Sequence, residues 1–136
     1  MPTSIKDIND NSCLCGSGKS YRCCCFDFHT GTAYPGTAEQ LMRSRYTAYA
    51  LRLQNYLLET WHISTRPGEF KFENGLAWKS LSVKNCKKGR LKDKKGWVTF
   101  TAFYQVGFER AKLQEKSFFI RDAQGHWCYV DGKFDE

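Results

Sequence analysis

The helical part of the fold is decided by residues 37–62, whose sequence is TAEQLMRSRYTAYALRLQNYLLETWH. Thr37 and Gln40 form a capping-box pattern, in which both side chains can satisfy free backbone N–H groups at the start of a helix. Apolar residues then recur at helical spacing along the segment. The pattern predicts either one long helix or two helices that are broken near Gln54 and Asn55.

Downstream of this helical segment the pattern changes to that of β-strands. Strands are predicted from Trp78 onward, over 97–106, over about 113–121 and over 126–131. The short connections between them favour antiparallel neighbours. Helices that precede a run of strands indicate an α+β fold, with the helices packed on one face of the sheet.

The chain has 136 residues and a formal net charge of +7. The excess of positive charge lies between Lys79 and Lys95, and the rest of the chain is balanced. No apolar run approaches the roughly 18 residues of a membrane span. The N-terminal residues 1–12 lack the apolar core of a signal peptide. The chain is therefore expected to act in the cytoplasm, without a membrane partner.

Five of the seven cysteines fall in residues 13–25. A disulfide framework would spread its cysteines along the chain and would need an oxidising compartment. A tetrahedral zinc ion favours four thiolates, and Cys13 with Cys15 supplies one pair while Cys24 with Cys25 supplies the other. We therefore predict one structural Zn²⁺ per chain. Four protein ligands leave no open position for a substrate, so zinc catalysis is not expected.

The sequence CLCGSGKSYRCCC of residues 13–25 resembles the SEC-C motif, which is named for the C-terminus of the SecA translocation ATPase. That motif has Cys-x-Cys, then Gly-Ser-Gly-Lys-x-Tyr, then Cys-Cys or Cys-His. Its spacing makes Cys24 and Cys25 the second pair and leaves Cys23 and His29 as alternative ligands. The glycines are too close together for a phosphate-binding loop. The resemblance implies a surface for a protein or ribonucleoprotein partner, since the ATPase motif contacts an export chaperone and the ribosome.

A second resemblance covers the rest of the chain. It is carried by LMRSRYTAY at 41–49, YLLETWH at 56–62, WKSLSV at 78–83, VTFTA at 98–102, EKSFF at 115–119 and WCYVDG at 127–132. These segments resemble the bacterial YchJ-like family. The resemblance implies a zinc module over 1–34 and a nuclear-transport-factor-2-like domain over 35–136, in which a curved antiparallel sheet wraps around helices and encloses a conical pocket.

Polar side chains are available to line such a pocket. Leu113, Glu115, Ser117 and Phe119 share one strand face by the period of two. Glu115 or Asp131 is able to act as a base if burial raises the pKa of its carboxyl group. The candidate pocket residues are Arg45, Tyr46, Trp61, His62, Tyr104, Glu115, Ser117, Tyr129 and Asp131.

A purely structural interpretation competes with this one. Arg45 would then form a buried ion pair with Glu115 or Asp131, and the tryptophans would pack in the core. Cys86 and Cys128 are expected to be small buried apolar residues. No nucleophile–base pattern is present, so we predict no catalytic residues, and an enzyme is the less favoured class.

Residues 84–95 are predicted to be a basic loop that connects two strands. The candidate basic patch consists of Lys84, Lys87, Lys88, Arg90, Lys92, Lys94 and Lys95. Such a loop either contacts nucleic-acid phosphates without reading sequence or is a solvated hairpin tip. The sequence thus favours a zinc-binding accessory or adaptor protein. A small-molecule binder or isomerase- or hydratase-like enzyme is the alternative, and a nucleic-acid contact is the second alternative.

Overall fold

The structure is a computed structural model and describes residues 12–134. The prediction that residues 1–12 hold no signal peptide falls almost entirely outside the described residues. The described elements, in chain order, are a 3₁₀ turn (Tyr21–Cys23), α1 (Cys25–His29), α2 (Ala38–Leu51), α3 (Gln54–Glu59), β1 (Leu76–Lys88), β2 (Lys95–Val106), β3 (Glu109–Arg121) and β4 (Trp127–Phe134). The four strands form one antiparallel sheet in the order β1-β2-β3-β4. The predicted α+β architecture is confirmed.

Helix α2 begins and ends for identifiable local reasons. Its N-cap is Thr37, whose hydroxyl accepts a hydrogen bond of 3.1 Å from the Gln40 backbone N–H. The Gln40 side chain in turn accepts from the backbone N–H of Gly36 at 2.8 Å. The helix ends because Arg52 adopts the left-handed conformation, with φ 58° and ψ 44°. The helical segment is therefore two helices, with the break at Arg52 and Leu53.

The core lies between α2 and one face of the sheet. Val98, Phe100 and Ala102 alternate along β2 and are all buried against this helix. Register shifts interrupt β1 twice and β3–β4 once, and such bulges bend a strand and increase its twist. Within residues 12–134, no helix has the length and apolar character needed to cross a bilayer.

The prediction of a loop over residues 84–95 is wrong. Strand β1 extends to Lys88 and β2 begins at Lys95, so the connection is only 89–94. Lysine is a weak strand former, but on an edge strand its side chain can extend into water without disturbing the ladder. Glycines at 89 and 96 allow the two strands to approach beneath Ala38, whose backbone N–H donates to Gly89 O at 2.9 Å.

The two isolated cysteines have different environments. Cys128 is buried, as predicted. Cys86 is exposed near the end of β1, where its Sγ donates to Glu39 Oε1 at 3.2 Å. The prediction of burial fails for Cys86 because it lies near the end of β1, an edge strand of the sheet.

Candidate metal centre and pocket

The four predicted ligands form one cluster. The Sγ atoms of Cys13, Cys15, Cys24 and Cys25 all lie within 4.8 Å of one another. The Cys15–Cys24 separation is 3.6 Å and the Cys24–Cys25 separation is 3.8 Å. Tetrahedral zinc with Zn–S bonds of about 2.3 Å requires sulfur–sulfur distances of about 3.8 Å. The donor set and its spacing therefore fit a tetrahedral metal ion with a preference for thiolates.

A tight backbone loop brings the two cysteine pairs together. The Cys13 N–H donates to Lys19 O at 2.7 Å, and the Gly16 N–H donates to Cys13 O at 3.2 Å. Gly16 and Gly18 have φ values of 80° and 85°, a conformation that glycine adopts without steric cost. Ser20 then caps the 3₁₀ turn, after which Cys24 and Cys25 begin α1.

Neither of the two alternative ligands, Cys23 and His29, belongs to the cysteine cluster. Cys23 is exposed and is not part of the cluster. His29 uses both ring nitrogens elsewhere, with Nδ1 2.7 Å from the Tyr21 hydroxyl and Nε2 2.8 Å from Ser44 O. A carbonyl can only accept, so Nε2 donates and Nδ1 accepts from Tyr21. Burial lowers the pKa of His29, which favours this neutral form. His29 therefore links the cysteine module to α2.

The cysteine cluster is packed directly on α2. The Thr47 hydroxyl lies 3.6 Å from Cys13 Sγ and 3.7 Å from Cys25 Sγ. Arg43 Nη1 donates to the Cys15 carbonyl at 2.5 Å. The module is consequently an integral part of the fold, held by the same helix that packs on the sheet.

The thiols of the cluster influence one another strongly. Hydrogen bonds with Cys13 and then Cys25 lower the pKa of the Cys15 thiol. Hydrogen bonds with Cys13 and Cys15, together with burial, raise the pKa of the Cys25 thiol. If all four groups were thiolates, their mutual repulsion would require a cation between them.

A cavity of about 290 Å³ lies on the inner side of the sheet. Six of the nine predicted pocket residues line it, namely Arg45, Tyr46, Trp61, Glu115, Ser117 and Tyr129. Tyr49, Trp78 and Phe134 also line it but were not among the predicted pocket residues. Tyr49 lies on α2 at a spacing of three and four residues from Tyr46 and Arg45, so the helical stripe carried the signal for it.

Three predicted pocket residues lie elsewhere. The His62 ring bonds to Ser64 Oγ at 2.7 Å through Nδ1, outside the cavity lining. The Tyr104 ring packs against Trp78 in a tilted arrangement, with ring centroids 5.5 Å apart, and Tyr104 is not part of the cavity lining. Asp131 is exposed opposite Phe118, because the bulge between Phe118 and Phe119 sets it on the other face of the sheet.

Arg45 places a buried positive charge at the pocket wall. Its side chain is 5% exposed, and its guanidinium carbon lies 5.2 Å and 4.7 Å from the ring centroids of Trp61 and Tyr129. Nη1 donates to Leu57 O and to Thr60 Oγ1, both at 2.7 Å. Among the described residues no carboxylate forms an ion pair with Arg45, so the predicted pairs with Glu115 and Asp131 do not form.

Glu115 lies on the sheet side of the pocket. Its carboxylate accepts a hydrogen bond from the Ser117 hydroxyl. Burial raises the pKa of this carboxyl group, in opposition to the Ser117 bond and the field of Arg45. Gly132, paired with Ser117, leaves room for the carboxylate, because a Cβ there would overlap its atoms. The site thus combines a fixed cation with a carboxyl group that readily takes a proton.

The chain is similar in sequence to one family of bacterial proteins. A family described as "YchJ, middle NTF2-like domain" matches residues 37–132. A UPF0225 protein of Streptomyces avermitilis is 45% identical over 125 residues, which cover 92% of this chain and 86% of the relative. A UPF0225 protein of Xanthomonas oryzae is 40% identical over 136 residues, which cover 98% of this chain and all of the relative.

Two solved structures are also similar. The solution structure of a SEC-C motif containing protein from Rhodopseudomonas palustris has a TM-score of 0.80 and 31% identity, covering 91% of this chain and 98% of that one. The crystal structure of a SEC-C motif containing protein from Psychrobacter arcticus has a TM-score of 0.77 over 95% of this chain and 85% of that one, and at 21% identity it supports the fold alone.

Fold and site together define a SEC-C motif protein with an NTF2-like domain. The chain belongs to the YchJ-like family, whose curated relatives are the UPF0225 proteins.

Proposed function

We propose that this protein binds a small organic molecule in the pocket, while the cysteine centre holds one zinc ion in a structural role. The observation that carries the proposal is an aromatic-walled cavity that Arg45 and Glu115 both line without forming an ion pair. Ligand pockets typically combine apolar walls with a few polar groups that orient the ligand. A perturbed carboxyl group inside such a cavity supports the same conclusion.

The charges of the pocket suggest the class of ligand. The guanidinium of Arg45 has no carboxylate partner, and the raised pKa of Glu115 favours its uncharged form. When Glu115 is protonated, Arg45 leaves the pocket positive, which favours a ligand with a carboxylate or another acceptor group. The rings of Trp61 and Tyr129 favour a flat apolar body. If the ligand is a substrate, Glu115 is the group placed to transfer a proton, as in isomerase or hydratase chemistry.

A thermal-shift screen of small carboxylic acids and neutral aromatic compounds tests this proposal. Binding should raise the melting temperature of the wild-type protein, and Leu113→Phe, which fills the pocket, should abolish the effect. The matched control is Leu91→Phe, because Leu91 is 72% exposed outside the pocket. A ligand that binds the Leu113→Phe variant as well as it binds wild type would show that the pocket is not its site.

We propose zinc for the cysteine centre because four thiolates in tetrahedral spacing suit it and leave no position for a substrate. A reducing compartment keeps such thiols free, which supports the cytoplasm as the site of action. Elemental analysis of the purified protein should find about one zinc per chain, and chelation should lower the melting temperature. Protein that is metal-free and equally stable would contradict the assignment.

A protein-binding role of the cysteine module is a second candidate. Leu14 is 45% exposed although it lies between buried Cys13 and Cys15, and it adjoins the exposed turn at 16–19. An apolar side chain held outward on a rigid loop suits a protein or ribonucleoprotein partner. A photo-crosslinking residue at Leu14 should capture a defined partner in cells, whereas one at Ile63, which is 73% exposed, should not. Identical products from both positions would contradict an adaptor role.

A further inference from the structure

The outer face of the sheet, opposite the core and α2, is strongly basic. Val98, Phe100 and Ala102 of β2 point to the core, so alternate residues along the paired strands point away from it. The strand registers then place six exposed basic residues on the outer face, namely Lys87, Lys95, Arg110, Lys112, Lys116 and Lys133. Among the paired positions of the described strands, Asp131 is the one carboxylate on this face.

The centre of this face holds lysines close together. Lys116 and Lys133 are directly opposite each other on β3 and β4, an arrangement that destabilises a sheet when no counter-charge is present. A groove of about 280 Å³ has Lys84, Lys116 and Lys133 in its lining, together with Glu115 and Phe134. The geometry therefore offers several cationic groups to one elongated anion.

An aromatic pair lies beside these lysines. Trp97 and Phe118 are cross-strand neighbours whose rings stack, with centroids 5.1 Å apart and planes inclined by 28°. Lys87 Nζ lies 5.4 Å from the centroid of the Trp97 ring. Flat rings on a basic sheet are the means by which proteins stack unpaired bases while lysines hold the phosphates.

We propose that the outer face binds single-stranded nucleic acid without strong sequence preference. The phosphates lie along Lys116 and Lys133, and one or two bases stack on Trp97 and Phe118. A second copy of this chain would bring two basic faces together, and an acidic polypeptide would make no use of the ring platform. The site differs from the predicted basic loop, because Lys87 and Lys95 reach it from strands.

Fluorescence anisotropy with a short labelled oligouridylate, over a series of KCl concentrations, tests the electrostatic part. The variant Lys116→Gln/Lys133→Gln should weaken binding at least about tenfold and reduce the slope of log K against log salt by about 1.4, which is 0.7 for each lost phosphate contact. The control with the same charge change is Arg52→Gln/Lys71→Gln, at exposed positions off the sheet. Equal losses of affinity in both double variants would show that binding depends only on net charge and would overturn the proposal.

Replacement of the platform tests the stacking part. Trp97→Leu should weaken oligouridylate binding about tenfold while the salt dependence stays unchanged, because stacking releases no counterions. Phe118→Leu is the second variant, should Trp97→Leu unfold. Poly-glutamate that binds as tightly as oligouridylate and is insensitive to both variants would assign the face to an acidic protein and overturn the proposal. Wild-type protein that binds neither RNA nor DNA oligomers would also overturn it.

Discussion

The cysteine centre and the pocket lie on different sides of one helix and are built in opposite ways. Arg43 and Thr47 of α2 contact the cysteine loop, whereas Arg45 and Tyr49 line the pocket. All four thiols come from residues 13–25, but the pocket walls come from elements between α2 and β4. The first site is organised by local chain geometry, and the second depends on packing of the whole sheet. Perturbations of the two sites should therefore have separable effects.

The largest effect is expected at the metal centre. Cys24→Ser should release the metal and destabilise the fold by about 4 kcal/mol or more, because loss of a structural metal is among the costliest single changes. Cys23→Ser should keep the metal, since Cys23 is exposed outside the cluster. Zinc content and the melting temperature of both variants check this prediction. The reverse order would show that Cys23, not Cys24, is the ligand.

The next largest effect is expected from the two arginines of α2. Arg45→Ala should destabilise the fold by about 3 kcal/mol, because it removes two hydrogen bonds to α3 and its C-cap and two cation–π contacts. Arg43→Ala should cost about 1 kcal/mol and speed metal release, as it binds the Cys15 carbonyl. Chemical denaturation measures the loss of stability in each variant, and the rate of metal transfer to a chelator measures metal release. Equal metal-release rates would contradict the division between the sites.

An effect smaller than that of Arg45→Ala is expected where the pocket meets β4. Gly132→Ala should cost about 2 kcal/mol, because the added Cβ displaces the Glu115 carboxylate. Gly68→Ala is the control, since a Cβ at Gly68 meets no atom within 4 Å. Thermal denaturation compares the two substitutions. Similar melting temperatures for both would show that Glu115 moves aside without cost.

The smallest effect concerns pH. Because the folded-state pKa of Glu115 is raised above its ordinary value of 4.5, its contribution to stability is present below that value and is lost as pH rises through the folded pKa. Glu115→Gln should therefore gain stability relative to wild type as pH rises, by at most about 1.4 kcal/mol per pH unit. Melting temperatures across the acid range measure this difference. Glu109→Gln, at an exposed carboxyl on the same strand, should show no such gain.

The contrast between a locally organised site and one built from distant elements also explains which features the sequence predicted. The cluster of four cysteines followed from spacing within one short segment, and the Thr37 cap followed from four consecutive residues. The break at Arg52 fell two residues before the predicted one, because a left-handed arginine carries no composition signal of the kind that glycine gives.

Features that depend on distant pairing were harder to predict. Asp131 lies outside the pocket because of one bulge between β3 and β4. A register shift of one residue moves a side chain to the other face of the sheet. The lysines of β1 suggested a loop because lysine has low strand propensity, whereas an edge strand tolerates it. Family resemblance supplied the curved sheet and the pocket, which local periodicity cannot specify.

The contact of the Thr47 hydroxyl with both Cys13 and Cys25 has a thermodynamic consequence. Thr47 and Arg45 are two residues apart on α2, so the position of this helix influences metal site and pocket alike. If zinc binding tightens the helix and thereby raises the affinity for a pocket ligand, then reciprocity requires the ligand to raise the affinity for zinc by the same factor. A saturating ligand would then slow the transfer of the ion to a chelator, so the rate of metal release would show whether the pocket is occupied.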